Sequence, residues 1–168
     1  MAAALVLPLN ALEIALRNAL YDAGARTYGS NWLSTTRLLR GGDVRQIGDA
    51  TSYLQARRTA PTADALVAEL SLGFWVGLVA RHHDQTLWRQ SLYRAFRSGT
   101  RRPELHEKLD RLRTLRNRIA HHEHVLRRNL PDDLDRIESV LDQLSPATAD
   151  WVRSRSDARA VIGHRRSL

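Results

Sequence analysis

The 168-residue chain contains no cysteine. That excludes disulfides, thiolate catalysis and cysteine-ligated zinc, and leaves histidine, carboxylates, hydroxyls and arginine for any chemistry. It has almost no lysine either: of 26 basic residues only Lys108 is lysine, so 25 are arginine. No apolar run approaches the roughly 18 residues a membrane span needs. The N-terminal stretch Met1 to Leu9 is apolar, yet it lacks a basic leader and passes directly into a polar-faced helical pattern. It therefore does not read as a signal peptide, and a cytoplasmic location with no membrane partner is the expectation. Strand-like alternation, hairpin turns and repeats of about 20 to 50 residues are also missing from the pattern.

Hydrophobic residues make up 43% and charged residues 26% of the chain. These are ordinary values for a folded domain, and the length suits one core, so residues 1–162 are expected to form a single domain with 163–168 as a frayed tail. The net charge is +8. Arginine's planar fork suits bidentate phosphate contacts, which points to an acidic partner such as RNA. Arginine over lysine with abundant alanine is also what a GC-rich coding sequence produces, and charge alone does not separate the two.

Helical periodicity accounts for nearly the whole chain. Pro8 suits a first turn, and Leu9, Leu12, Leu16 and Leu20 follow at helical spacing to about Tyr28, with Asn10, Glu13, Arg17 and Asn18 on the other face. After Gly41-Gly42, Val44, Ile47 and Leu54 mark a helix to about Arg58. From Thr62 to about His82 the pattern is apolar nearly all round, predicting a central buried helix in which Gly73 and Gly77 permit close contact. Asp84 to Phe96 places Leu87, Trp88, Leu92 and Phe96 on one side. Pro103 opens a helix whose stripe is Leu105, Leu109, Leu112, Leu115 and Ile119, ending near His122 to His124. Pro131 starts a helix through Leu134, Ile137, Leu141 and Leu144, with Asp132 and Asp133 where the helix dipole favours acids. Pro146 starts a last helix containing Trp151. The predicted fold class is an all-α bundle of about six to seven helices.

The chemistry concentrates between Arg113 and His124, where three histidines and three arginines fall within twelve residues. At about 100° per residue, Asn117 and His121 share a helix face that Arg113 leads into, whereas Arg116 lies roughly 140° from His121. A second chain or a distorted helix end is needed to bring those two together. Histidine can exchange protons with a ribose 2′-hydroxyl or a leaving 5′-oxygen. Arginine can stabilise charge growing on a phosphate. The same residues could instead close a helix C-terminus, where His121 and His122 favour the dipole, with Arg113, Arg116 and Arg118 as a solvated face paired to Asp110 and Glu123. His121, His122 and His124 are too tightly spaced for one face to offer three zinc ligands, and His82-His83-Asp84 reads more readily as a cap, so no metal and no cofactor is expected.

The segment Arg116-Asn117-Arg118-Ile119-Ala120-His121-His122-Glu123 resembles the R-N-x-x-x-H motif of the HEPN superfamily, in the form carried by its Abi-like (abortive phage infection) family. Two further blocks agree in order: Leu12 to Ala19 followed by Tyr28-Gly29 and Trp32-Leu33, and Glu69 to Trp75 with Leu87-Trp88 downstream. The resemblance implies a HEPN-like bundle, usually dimeric through paired motif helices, and a metal-independent endoribonuclease in an antiviral-defence or toxin–antitoxin setting, with a cognate antitoxin protein or small RNA as a further partner. It makes Arg116, Asn117 and His121 the catalytic residues. Glu13, Arg17, Asn18, Arg113, Arg118 and His122 become RNA-binding or supporting residues, although for the first-helix trio an ordinary ion-pair or capping role fits equally. The alternative is a non-catalytic module binding RNA or a regulatory partner through the same basic face.

Overall fold

A computed structural model describes residues 2–35, 37–121, 123, 125 and 128–163. Among them every regular element is helical, as the periodicity predicts. The chain divides into two compact units, one made of the residues up to Leu16 with those from Glu104 onward, the other of Arg17–Pro103.

The first unit begins with a 3₁₀ turn, Ala3–Leu5, that runs into α1 (Val6–Tyr28). Leu5, Leu9, Leu12 and Leu16 are buried, each on the predicted stripe from Leu9 onward. Helix α5 (Arg102–Ala120) buries Leu105, Leu109, Leu112 and Leu115. Each such leucine contributes about 2 kcal/mol from removal of apolar surface from water. Helix α6 (Leu130–Leu144) buries Leu134, Ile137, Val140 and Leu141, and α7 (Pro146–Arg155) and α8 (Ala158–Gly163) pack against it. The caps are those the sequence offers: the Asn129 side chain accepts from the Asp132 N–H, and that of Ser145 from the Thr148 N–H, each followed by a proline in the first turn. Helix α8 was not expected, because only Ala158 and Ile162 of its single turn and a half face inward.

In the second unit α1 ends at Tyr28, and Gly29 takes φ +90°, the left-handed conformation that stops a helix. Trp32, fully buried, donates its indole N–H to the Tyr21 carbonyl at 3.1 Å. A Cβ at Gly24 would overlap the Trp32 ring, so glycine there is what admits the tryptophan. Helix α2 (Gly41–Ala56) ends two residues before the predicted limit. Its Asp43 accepts the Arg40 N–H at 2.8 Å and meets the buried His83 ring. Burial pushes the His83 imidazole below its ordinary pKa despite that carboxylate.

The expected central helix is broken. It forms α3 (Ala63–Glu69) and α4 (Leu72–Leu78), with Leu70 extended between them. Ser71 competes for the backbone by accepting the Phe74 N–H, and the indole of Trp75 donates to the stranded Leu70 carbonyl at 3.3 Å. Gly77 has open space where a Cβ would sit, so it permits no close helix contact. The segment expected as a helix over Asp84–Phe96 is a π turn, Asp84–Trp88, and a 3₁₀ turn, Leu92–Ala95, although Leu87, Trp88, Leu92 and Phe96 are buried as predicted. The continuous helical stretch Ala3–Tyr28 spans 26 residues and contains an 18-residue window of mean hydropathy 1.3, so by length and composition alone it could cross a membrane, a test that a buried core helix also passes. The tail at 164–168 lies outside the described residues.

Candidate functional site

The leucine stripe of α5 decides where its polar residues point. With Leu105, Leu109, Leu112 and Leu115 facing the core of the first unit, Asn117 and Arg118 are exposed and Arg113 and Arg116 half-buried. His121 is exposed immediately after the last helical residue. Its N–H bonds the Asn117 carbonyl at 3.0 Å, so the i→i−4 ladder continues regularly through the histidine. The departure comes after it, where the Glu123 N–H reaches back to the Arg118 carbonyl at 2.8 Å.

Each arginine of the motif helix has an acidic partner. Arg113 donates through Nε and Nη2 to Asp110 at 3.0 and 2.7 Å. Arg118 stands 3.9 Å from Glu123. These are the solvated-face pairs foreseen from spacing, and at such exposure they contribute little to stability. Arg116 is different: its Nε donates to Oε2 of Glu13 on α1 at 3.2 Å, with the Glu13 side chain only 15% exposed and that of Arg116 40%. The first-helix block and the motif helix therefore meet at these two residues. Of the other first-helix residues, Arg17 turns to Ala68 in the second unit, donating to its carbonyl at 3.4 Å while its buried Nε has no partner, and Asn18 is exposed. His122 lies outside the described residues.

Beside Arg116 opens a cavity of about 570 Å³ whose walls are mostly apolar, including Val6, Leu9, Ile119 and Ala120, with Asn10, Arg116 and Glu123 supplying polar groups. Further along α1, Val6, Leu7 and Ile14 line a second hollow with Trp151 of α7, and all four of these side chains are substantially exposed. The segment following the motif is tied down from the other end. Arg128 donates to both carboxylate oxygens of Asp133 at 2.9 and 3.0 Å and to the Arg111 carbonyl at 3.5 Å, while Val125 is buried. Asp133, expected only as a dipole-complementing acid, is the buried anchor of that connection; its burial is invisible to a pattern that treats acids as solvent-facing.

Regular helix geometry through His121 has a consequence for the chemistry. Five residues at about 100° each leave Arg116 and His121 roughly 140° apart. The helix-end distortion that would have drawn them together within one chain is absent over residues 116–121. Asn117 and His121, four residues apart, do share a face. No family model matches the chain, and comparison with curated proteins and with solved structures finds no match.

Proposed function

We propose that this chain is a metal-independent endoribonuclease of the Abi-like HEPN type, acting in the cytoplasm in a phage-defence or toxin-type system. The observation that carries the reading is the Glu13–Arg116 bond, which holds the motif arginine from the first-helix block that accompanies it in the sequence. Arginine fixed at one nitrogen keeps its remaining donors for a phosphate, and it stays charged throughout. An exposed histidine at the helix end can take the 2′-hydroxyl proton or protonate the leaving 5′-oxygen. Asn117, on the same face, orients the imidazole or a phosphate oxygen.

The active form is a homodimer. Arg116 and His121 diverge on their own helix, so a second chain supplies the missing partner, and the exposed Val6, Leu7, Ile14 and Trp151 offer an apolar face for association. A cognate antitoxin protein or small RNA would control the site by covering its basic residues. A non-catalytic RNA- or partner-binding module is favoured instead by one feature, the mostly apolar wall of the cavity beside Arg116. Incubating total RNA with the chain and with its His121→Ala form, in EDTA and well below the melting temperature, separates the two. Cleavage by the first alone supports the enzyme; binding without cleavage supports the module.

A further inference from the structure

Three potential ligands converge in the Arg17–Pro103 unit, from segments far apart in sequence. Asp43 comes from the first turn of α2, and His82 and His83 from the 3₁₀ turn Arg81–His83 that follows α4. One donor atom from each lies within 4.8 Å of the others. The His83 Nε2 and the Asp43 Oδ2 are 2.8 Å apart, and the two imidazole rings are 4.3 Å apart at their centres. Asp84, the acid adjacent in sequence, is not available, because its two oxygens are held by Arg89 and Arg102 at 2.9 Å each.

His83 is completely buried, and its Nδ1 has no hydrogen-bond partner. A neutral imidazole carries one N–H and one lone pair. If Nε2 bears the hydrogen and donates to Asp43, the lone pair on Nδ1 is left without a donor. If Nδ1 bears it, the Nε2 lone pair faces a carboxylate and Nδ1–H is stranded. A cation seated between the carboxylate and Nε2 takes the Nε2 lone pair of the second tautomer and removes its repulsion with Asp43, while Nδ1–H keeps no described protein partner.

We propose that Asp43, His82 and His83 form a three-ligand divalent-metal site of the zinc type, tying the first turn of α2 to the turn after α4. Two imidazoles and a carboxylate are a donor set suited to Zn²⁺, with water completing four-coordination. Ligand bonds of about 2.0–2.2 Å put tetrahedral donors roughly 3.3–3.6 Å apart. The close Asp43–His83 pair must open by roughly half an ångström and the widest pair must close, a change the exposed His82 side chain can absorb by rotation. Binding releases any proton held on the ligating nitrogen, since the ligand is the neutral ring.

The test uses the full chain, purified without a histidine tag, stripped with chelator and titrated with Zn²⁺ by calorimetry and thermal melting. One equivalent should bind and raise the melting temperature. His82→Ala, at an exposed position that leaves folding intact, should weaken binding by more than about tenfold, the lower scale for losing even an outer-shell partner. His121→Ala/His122→Ala/His124→Ala, which removes the other close-spaced histidines, should leave the affinity unchanged. Absence of a melting shift, equal affinity in the His82→Ala protein, or loss of binding in the His121→Ala/His122→Ala/His124→Ala protein would each overturn the assignment.

Discussion

Arg116 donates its Nε to the Glu13 carboxylate at 3.2 Å, a bond between residues 103 positions apart. The pair is partly exposed, so its direct contribution to stability is under about 1 kcal/mol. Its effect should appear in activity instead. Glu13→Gln should melt within a few degrees of the wild type yet lower RNA cleavage on the order of tenfold, a loss of positioning. Equal rates for the two proteins would make the bond purely structural.

Divergence of Arg116 and His121 along a regular helix predicts sites shared between chains. Arg116→Ala and His121→Ala should each be inactive alone, and mixed subunits should regain activity because one composite site in the heterodimer is intact. Ile14→Glu, which places a charge on the exposed apolar face of α1, should give a monomer by light scattering and remove activity with it. Full activity in that monomer would refute the shared site.

The chemistry assigned to His121 fixes the product ends. RNA fragments should carry a 2′,3′-cyclic phosphate or its hydrolysed form on one side and a 5′-hydroxyl on the other, and 2′-deoxy substitution at the scissile ribose should block cutting. His121→Ala should cost about 10²-fold or more in rate, the usual scale for a positioned proton-transfer group. End-labelling that reveals 5′-phosphates would rule this mechanism out.

Arg128→Ala should be the most damaging of these changes to stability. It strands Asp133, whose side chain is 2% exposed, with Arg136 at 3.3 Å its remaining cationic partner among the described residues. Breaking a buried pair from one side costs about 3 kcal/mol. Chemical denaturation measures this directly; a cost below about 1 kcal/mol would mean that Arg136 alone compensates the charge.

If the arginine excess serves RNA, affinity should fall steeply between low and physiological salt, because each phosphate contact releases condensed counterions. A filter-binding series over ionic strength checks it. A flat response would assign the arginines to composition.

Stripes of leucine on α1 and α5, the proline starts of α6 and α7 and the all-helical class are legible in the sequence, because each rests on local periodicity or on a backbone restriction that acts within a few residues. The dense 113–124 segment is legible for the same reason. Pattern alone misjudges the central segment: an apolar run from Thr62 to His82 looks continuous, but Ser71 capping α4 and Trp75 bonding the Leu70 carbonyl make a break affordable. Only the tertiary structure decides which charges meet. Glu13 finds Arg116, Asp133 finds Arg128, and Asp43 finds His83 across 40 residues, since burial and ion pairing depend on how helices stack and no spacing within one helix encodes it.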